Sequence, residues 1–455
     1  MRQPSVPAAA PRPYSVPARR SRRTAGLALG LLVTVTACGT TTQGTPASSS
    51  SGTGGAPTTT ASATTTSASP STSASTSASA SGSGSAPVPP ATRSTSATPS
   101  KATPAATCVS RTMSAMSTAQ RVGQLFMTSV STSGMTSAES SALTRGRVGS
   151  VFLIGHTSTG TAAVKKVTDR VRALAPSVHG ARVGMLISTD QEGGRVQVLN
   201  GPGFSTIPSA VTQGTWSTTR LQSSAREWAR QLKSAGVNMN LAPVADTVPP
   251  DLVNVNAPIG KLDREFGTTP ATVASHSDAF LRGMRQEGVA PTIKHFPGLG
   301  RVRGNTDLTA GVTDTVTTRN DPFLQPFRSG IQAGTPFVMV SSAIYSKIDP
   351  KRQAVFSPTI VTGILRDSLG FKGVIISDDL GQAVAVSDHT PAKRALDFIL
   401  SGGNIVLTVK PSDIAPMTSA VISGLPHSAA LRKAVDDSVR RVLTAKANAG
   451  VLTCG

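Results

Sequence analysis

The chain has 455 residues, 38% of them apolar, and a formal net charge of +21. That apolar content fills one large core or two modest ones. The positive charge suits an anionic surface, but only 4% of residues are aromatic and no zinc or helix-turn-helix pattern is present, which argues against a nucleic-acid binder.

In chain order, Arg19, Arg20, Arg22 and Arg23 precede the apolar run "AGLALGLLVTVTAC". The run is too short and too rich in small residues for a confident membrane span. It ends in Val35-Thr36-Ala37-Cys38, which resembles a bacterial lipobox, so residues 1–38 read as a lipoprotein signal peptide with Cys38 as the lipidated residue. An ordinary secretory signal with cleavage nearby is the alternative, and both export the protein. Residues 39–107 are almost entirely Ser, Thr, Ala, Gly and Pro, and no Asp or Glu occurs before Cys108. Such a stretch buries too little apolar surface to offset its ordering entropy and reads as a disordered tether. Six arginines lie before Cys38, and Arg93 and Lys101 lie in the tether, which leaves +13 for residues 108–455.

Cys108 and Cys454 flank that folded part. In an oxidising compartment they are placed to form a disulfide joining its ends, contributing up to about 4–5 kcal/mol in the chain-entropy model. Between them, eight short β-branched runs read as buried strands: "QLFMTSV", "VGSVFLI", "VGMLIST", "VNMNLAPVAD", "VAPTIKHF", "PFVMVSS", "GVIISDD" and "NIVLTV". Helical patterns lie between most of them. Residues 218–235 carry Leu221, Ala225, Trp228, Ala229 and Leu232 on one face, and a second pattern spans 271–287. Eight strand–helix units predict an α/β fold, a single (β/α)8 TIM-type barrel, with a doubly wound open sheet as the competitor. Polar and charged residues recur at the strand ends: Asp190, Asp246, Lys294, His295, Ser341, Ser342, Asp378 and Asp379. Burying acids there is costly without partners, so the repetition suggests one shared site.

Four motifs in order, "TDQEGGRVQ" (189–197), "IGKLDREFG" (259–267), "KHFPGLG" (294–300) and "ISDDL" (376–380), resemble the β-N-acetylhexosaminidase branch of glycoside hydrolase family 3, in its single-barrel, envelope-lipoprotein form. The resemblance covers about residues 116–409 and implies a retaining mechanism, in which two carboxyl groups about 5–5.5 Å apart act as nucleophile and acid/base. It assigns Asp378 as nucleophile and Asp190, Arg264, Lys294 and His295 as sugar contacts. Asp379 is expected to cap a following helix. Asp190 has a second reading as a partner for Arg195, and His295 has one as a structural histidine. Glu192 and Asp246 are expected only to hold loops.

The chain departs from the family pattern in "KHFPGLGRVRGNTD" (294–307). Where relatives carry Asp-x-His, with the His as acid/base, this sequence has Asn305, Thr306 and Asp307. Leu299 and Ser342 stand at two other family His positions, and Val198 replaces a family Arg. Three readings follow. Asp307 is itself the acid/base, with its pKa raised by an apolar setting and by Asp378; or Asp307 positions a water or anion that transfers the proton; or the site binds glycan without cleaving it. The first is adopted.

The expected protein is thus a monomeric, exported, lipid-anchored exo-β-N-acetylglucosaminidase on the outer face of the cytoplasmic membrane, acting on wall-derived fragments. An inactive wall-glycan-binding lipoprotein and a β-glucosidase or other β-hexosidase are the alternatives. Partners are a glycan and, through its lipid, the membrane. No nucleic acid, cofactor or metal is expected, since no Cys/His spacing resembles a zinc site.

Overall fold

The structure is a computed structural model that describes residues 104–454. The signal peptide, Cys38 and the tether as far as residue 103 lie outside the described residues. The first helix, Pro104–Ala115, starts four residues ahead of the boundary expected at 108. Pro104 at its start needs no backbone donor, and Ala105 and Ala106 favour helix, so the tether composition runs into an ordered element.

All eight expected strands form, and all are parallel. They are β1 (Phe126–Ser131), β2 (Ser150–Ile154), β3 (Leu186–Thr189), β4 (Met239–Asn240), β5 (Ala290–Phe296), β6 (Phe337–Val340), β7 (Val374–Ser377) and β8 (Val406–Thr408). Spatial order follows chain order. β8 pairs with β1, and a bridge between Ile376 and Ile405 joins β7 to β8 and completes the circle. A doubly wound sheet has two open edges and a reversal of strand order; neither is present. β4 is shorter than its sequence run because Pro243 interrupts the ladder, although a bridge from Val244 to Lys294 continues the pairing toward the site.

Each strand is followed by an outer helix, and the amphipathic patterns fall as expected. Helix Thr218–Ser234 buries Leu221, Ala225, Trp228, Ala229 and Leu232, with Ser217 accepting a hydrogen bond from the Arg220 amide at its start. Trp228 meets Phe280 of helix Pro270–Gln286 at a centroid distance of 5.9 Å. The position after β6 is filled by a π-type helix, Thr359–Ser368.

The last helix, Ala429–Asn448, reaches the end of the barrel where the strands start. Cys108 and Cys454 are joined in a disulfide there, with a Cα–Cα distance of 6.0 Å. Lys446 is fully buried, and its Nζ donates to Gln124 Oε1 at 2.6 Å, Gly149 O at 2.7 Å and Gly184 O at 2.8 Å. These acceptors precede β1, β2 and β3, so one ammonium gathers three strand starts without a carboxylate. Burial pushes the Lys446 pKa down to about 7. The unfolded chain then holds this proton up to its ordinary value of 10.5 while the folded chain releases it, so stability contributed here rises between pH 7 and 10.5.

Lys446→Met is expected to strand the three acceptors, destabilising the fold by about 1–3 kcal/mol, with a deficit that widens from pH 7 to pH 10. Thermal or urea unfolding at the two pH values checks this. A more stable variant would show that desolvating the ammonium costs more than its three bonds return.

Candidate active site

The strand C-termini enclose a cavity of about 380 Å³, lined by Asp190, Arg264, Lys294, His295, Asp307 and Asp378 among others. All six residues assigned to chemistry or sugar contact therefore share one space. Phe152, Leu241, Met339 and Leu407 supply apolar walls.

A buried ion cluster forms one side. Glu192, 5% exposed, takes Arg264 in a bidentate pair, Nε to Oε2 at 2.9 Å and Nη2 to Oε1 at 2.8 Å. Lys294 Nζ lies 2.6 Å from Glu192 Oε1 and 2.7 Å from Asp190 Oδ1. Asp190 thus pairs with Lys294 and not with Arg195. Burial alone would raise the Glu192 pKa, but Arg264 and then Lys294 outweigh it and bring the value down to about 2. Burial likewise opposes the charge on Lys294, and the carboxylates Asp190 and Glu192 more than restore it, holding its pKa above the ordinary value. Glu192 is the hub of this cluster, a larger role than the loop-holding one expected of it. The sequence signal is the Gly193-Gly194 pair. Gly193 has φ +115° and an added Cβ would meet Pro208 O at 2.2 Å, so only glycine fits beside Glu192 at the end of strand Gln191–Gly193, where the hairpin turns toward Val196–Gln197.

Asp246 is fully buried and acts as expected. Its Oδ1 accepts from the amides of His295 at 3.1 Å and Leu299 at 2.8 Å, and its Oδ2 faces His295 Nδ1 at 2.7 Å. A carboxylate only accepts and Arg264 Nη2, 3.5 Å from His295 Nε2, only donates. Together they set the hydrogen on Nδ1 and leave the Nε2 lone pair toward Arg264. His295 therefore has both a structural bond and a face on the cavity.

Asp378 follows β7, and Asp307 sits in the loop after β5. Asp378 Oδ1 accepts from the Asp379 amide at 2.9 Å. Asp379 does not cap a helix. Its Oδ1 accepts from Gly381 N at 2.8 Å and Val409 N at 2.9 Å, and its Oδ2 from Gln382 N at 2.8 Å, because residues 380–383 form a turn that leaves those amides free to be claimed. Asp307 is carried by a clamped loop. Asn305 Oδ1 accepts from its amide at 2.9 Å, and the carbonyls of Thr306 and Asp307 accept from Ala385 N at 3.0 Å and Val384 N at 3.2 Å. Gln353 Nε2 braces Ala385 O from behind at 2.8 Å. Although Asp307 is exposed at the open cavity, the surrounding protein desolvates its carboxyl, and that effect, followed by the charge of Asp378, pushes its pKa up to about 6.

The three substituted positions, two expected as His and one as Arg, offer neither a ring nitrogen nor a cation. Leu299 lines the cavity as an apolar contact, Val198 is buried in the core, and Ser342 is buried with an Oγ that has no partner among the described residues. Among the described residues no group of three or more His, Cys, Asp or Glu is arranged to hold a metal, and no helix is long and apolar enough to cross a membrane.

Residues 117–445 match the family described as Glycosyl hydrolase family 3 N terminal domain. A β-hexosaminidase from Stenotrophomonas maltophilia is 32% identical over 308 residues, 65% of this chain and 87% of the relative. The solved β-N-acetylhexosaminidase of Beutenbergia cavernae is 47% identical, with a TM-score of 0.71 over 73% of this chain and 99% of its own. LpqI of Mycobacterium tuberculosis is 28% identical, with a TM-score of 0.61 over 73% and 94%.

Glu192→Gln is expected to leave Lys294 and Arg264 underpaired and to cost about 3–5 kcal/mol of stability at neutral pH. Because the folded pKa is depressed, the parent's contribution is complete above 4.5 and fades as pH falls toward 2. Unfolding free energies of parent and variant should therefore converge in acid, which denaturant titration at pH 7 and pH 3 measures.

Proposed function

The chain belongs to glycosyl hydrolase family 3 and is a glycoside hydrolase of the β-N-acetylhexosaminidase type; from that premise we propose an exported, lipid-anchored exo-β-N-acetylglucosaminidase that removes terminal N-acetylglucosamine from peptidoglycan-derived fragments. The observation that carries the catalytic reading is that Asp307 and Asp378 line one cavity, with desolvation by the surrounding protein and the charge of Asp378 lifting the Asp307 pKa to about 6. A cavity of about 380 Å³ suits one sugar ring at a chain end better than the middle of a polymer.

In this mechanism the Asp378 carboxylate attacks the anomeric carbon. The glycosidic C–O bond breaks with its electron pair on the leaving oxygen, and that oxygen takes the proton of Asp307. The Asp307 carboxylate then removes a proton from water as the water oxygen attacks the same carbon, which releases Asp378 and returns Asp307 to its acid form. Asp190 accepts from sugar hydroxyls, and Lys294 and Arg264 donate to them, each held in place by Glu192. Asp307 serves without a histidine because the clamped loop supplies the positioning and the neighbouring carboxylate keeps the proton bound.

The lipid anchor at Cys38 and the exported location rest on the Val35–Cys38 motif and the arginines before it, and the tether with the +13 charge of residues 108–455 suits work beside anionic wall polymer. Cys38→Ala is expected to move the protein from the membrane fraction to the soluble one, as cell fractionation would reveal.

Turnover of N-acetyl-β-glucosaminides by the full-length protein tests the enzyme reading. Asp378→Asn is expected to abolish it. Asp307→Asn should lose about 10²–10⁴-fold with an alkyl leaving group and far less with a nitrophenol, which needs no proton. Raised to about 6, the Asp307 pKa predicts a fall in kcat/KM above pH 6 as the acid form is lost, a limb absent from Asp307→Asn. Glycan binding without turnover in the parent would instead mark an inactive wall-binding barrel.

A further inference from the structure

Among the described residues, five large apolar side chains are exposed: Val211, Leu308, Val316, Val384 and Leu400. Leu308 is the most exposed, at 76%, and it lines the cavity directly after Asp307. Val384 follows Ala383, which also lines the cavity, and its amide donates to the Asp307 carbonyl at 3.2 Å, so two of the five exposed residues sit on backbone segments paired next to the cavity. Local structure does not require an apolar residue at either place. The Leu308 backbone closes a turn through its amide and Asn305 O at 3.1 Å, a bond any residue but proline makes, and its side chain contributes nothing to the core. Polar groups flank the pair, with Asn305 and Gln382 also lining the cavity.

Stereochemistry says what such a pair would meet. An acid/base must come within hydrogen-bond reach of the glycosidic oxygen, and the leaving group starts at that oxygen. A leaving group protonated by Asp307 therefore extends from the cavity past the loop that carries Asp307. The exposed apolar side chain on that loop is Leu308, and Val384 is on the segment paired to it.

We propose that Leu308 and Val384 form the leaving-group subsite, selecting β-N-acetylglucosaminides whose aglycone presents an apolar face: a pyranose ring turned on its C–H side, or a ring bearing an alkyl substituent. This rests on Asp307 as the acid/base. Asn305 and Gln382 supply hydrogen bonds to the edges of such a ring, and Leu308 and Val384 take its face. Small or charged aglycones gain nothing there.

The test uses the full-length protein, Leu308→Ser and Val384→Ser, and two non-hydrolysable thioglycosides of N-acetylglucosamine, one with a methyl and one with a cyclohexylmethyl aglycone. Calorimetry is expected to show the parent binding the cyclohexylmethyl ligand about tenfold more tightly, a preference that shrinks toward unity in each variant. The matching O-glycosides should show the same ratio in kcat/KM. Equal affinity of the parent for both ligands overturns the subsite, as does an equal loss on both ligands in the variants, since that pattern belongs to a residue that only shapes the loop. Preferential binding without turnover upholds the subsite and counts against the hydrolase reading alone, so the two failures are distinguishable.

Discussion

The site depends on one buried electrostatic arrangement, in which Glu192 is held by Arg264 and Lys294 while Lys294 also holds Asp190. Each of these charges would be too costly to bury alone, and they are tolerable as a group because every strong donor has an acceptor within 3 Å. The groups come from three separate elements: the hairpin after β3, the segment before helix Pro270–Gln286, and β5 itself. Fixing them fixes the relative placement of those elements. It also holds the side chains proposed to meet the sugar, Asp190, Arg264 and Lys294, in place before any sugar arrives, the kind of preorganisation that yields catalytic advantage.

The two carboxyl groups of Asp307 and Asp378 are treated differently. Asp378 lies at the end of a barrel strand, with its position determined by the sheet. Asp307 lies on a loop, a location that ordinarily brings mobility. Here the loop is paired along its backbone to residues 384–385 and braced by Gln353, so main-chain bonds supply the positioning that the acid/base role proposed for Asp307 requires. The unequal environments also separate the two acids chemically, since desolvation first and the charge of Asp378 second push Asp307 toward its protonated form.

Much of this was legible in the sequence, for identifiable reasons. Strands buried on both faces need continuous apolar runs, so all eight could be read directly, and the periodic helix at 218–235 buried the five residues its spacing indicated. Acids at strand ends flagged the cavity because burying them is costly. What escaped were pairings chosen by tertiary distance. Glu192 reads as a loop acid until the fold sets it against Arg264. Asp379 reads as a helix cap until the chain after it fails to become a helix. Lys446 reads as an ordinary helical lysine, because nothing local shows that Gly149 and Gly184 will aim carbonyls at it. Leu308 and Val384 carry no sequence sign of being neighbours. The ordered start at Pro104 was hidden by composition that matches the tether.

The bridge between Cys108 and Cys454 spans a sequence separation of 346, enclosing every barrel strand in one covalent ring. An endoprotease that severs a single surface loop anywhere within that ring produces two fragments that stay linked through sulfur. They cannot drift apart, so the halves carrying residues 307 and 378 remain at high effective concentration and can re-dock. With the exported location proposed above, such damage is survivable.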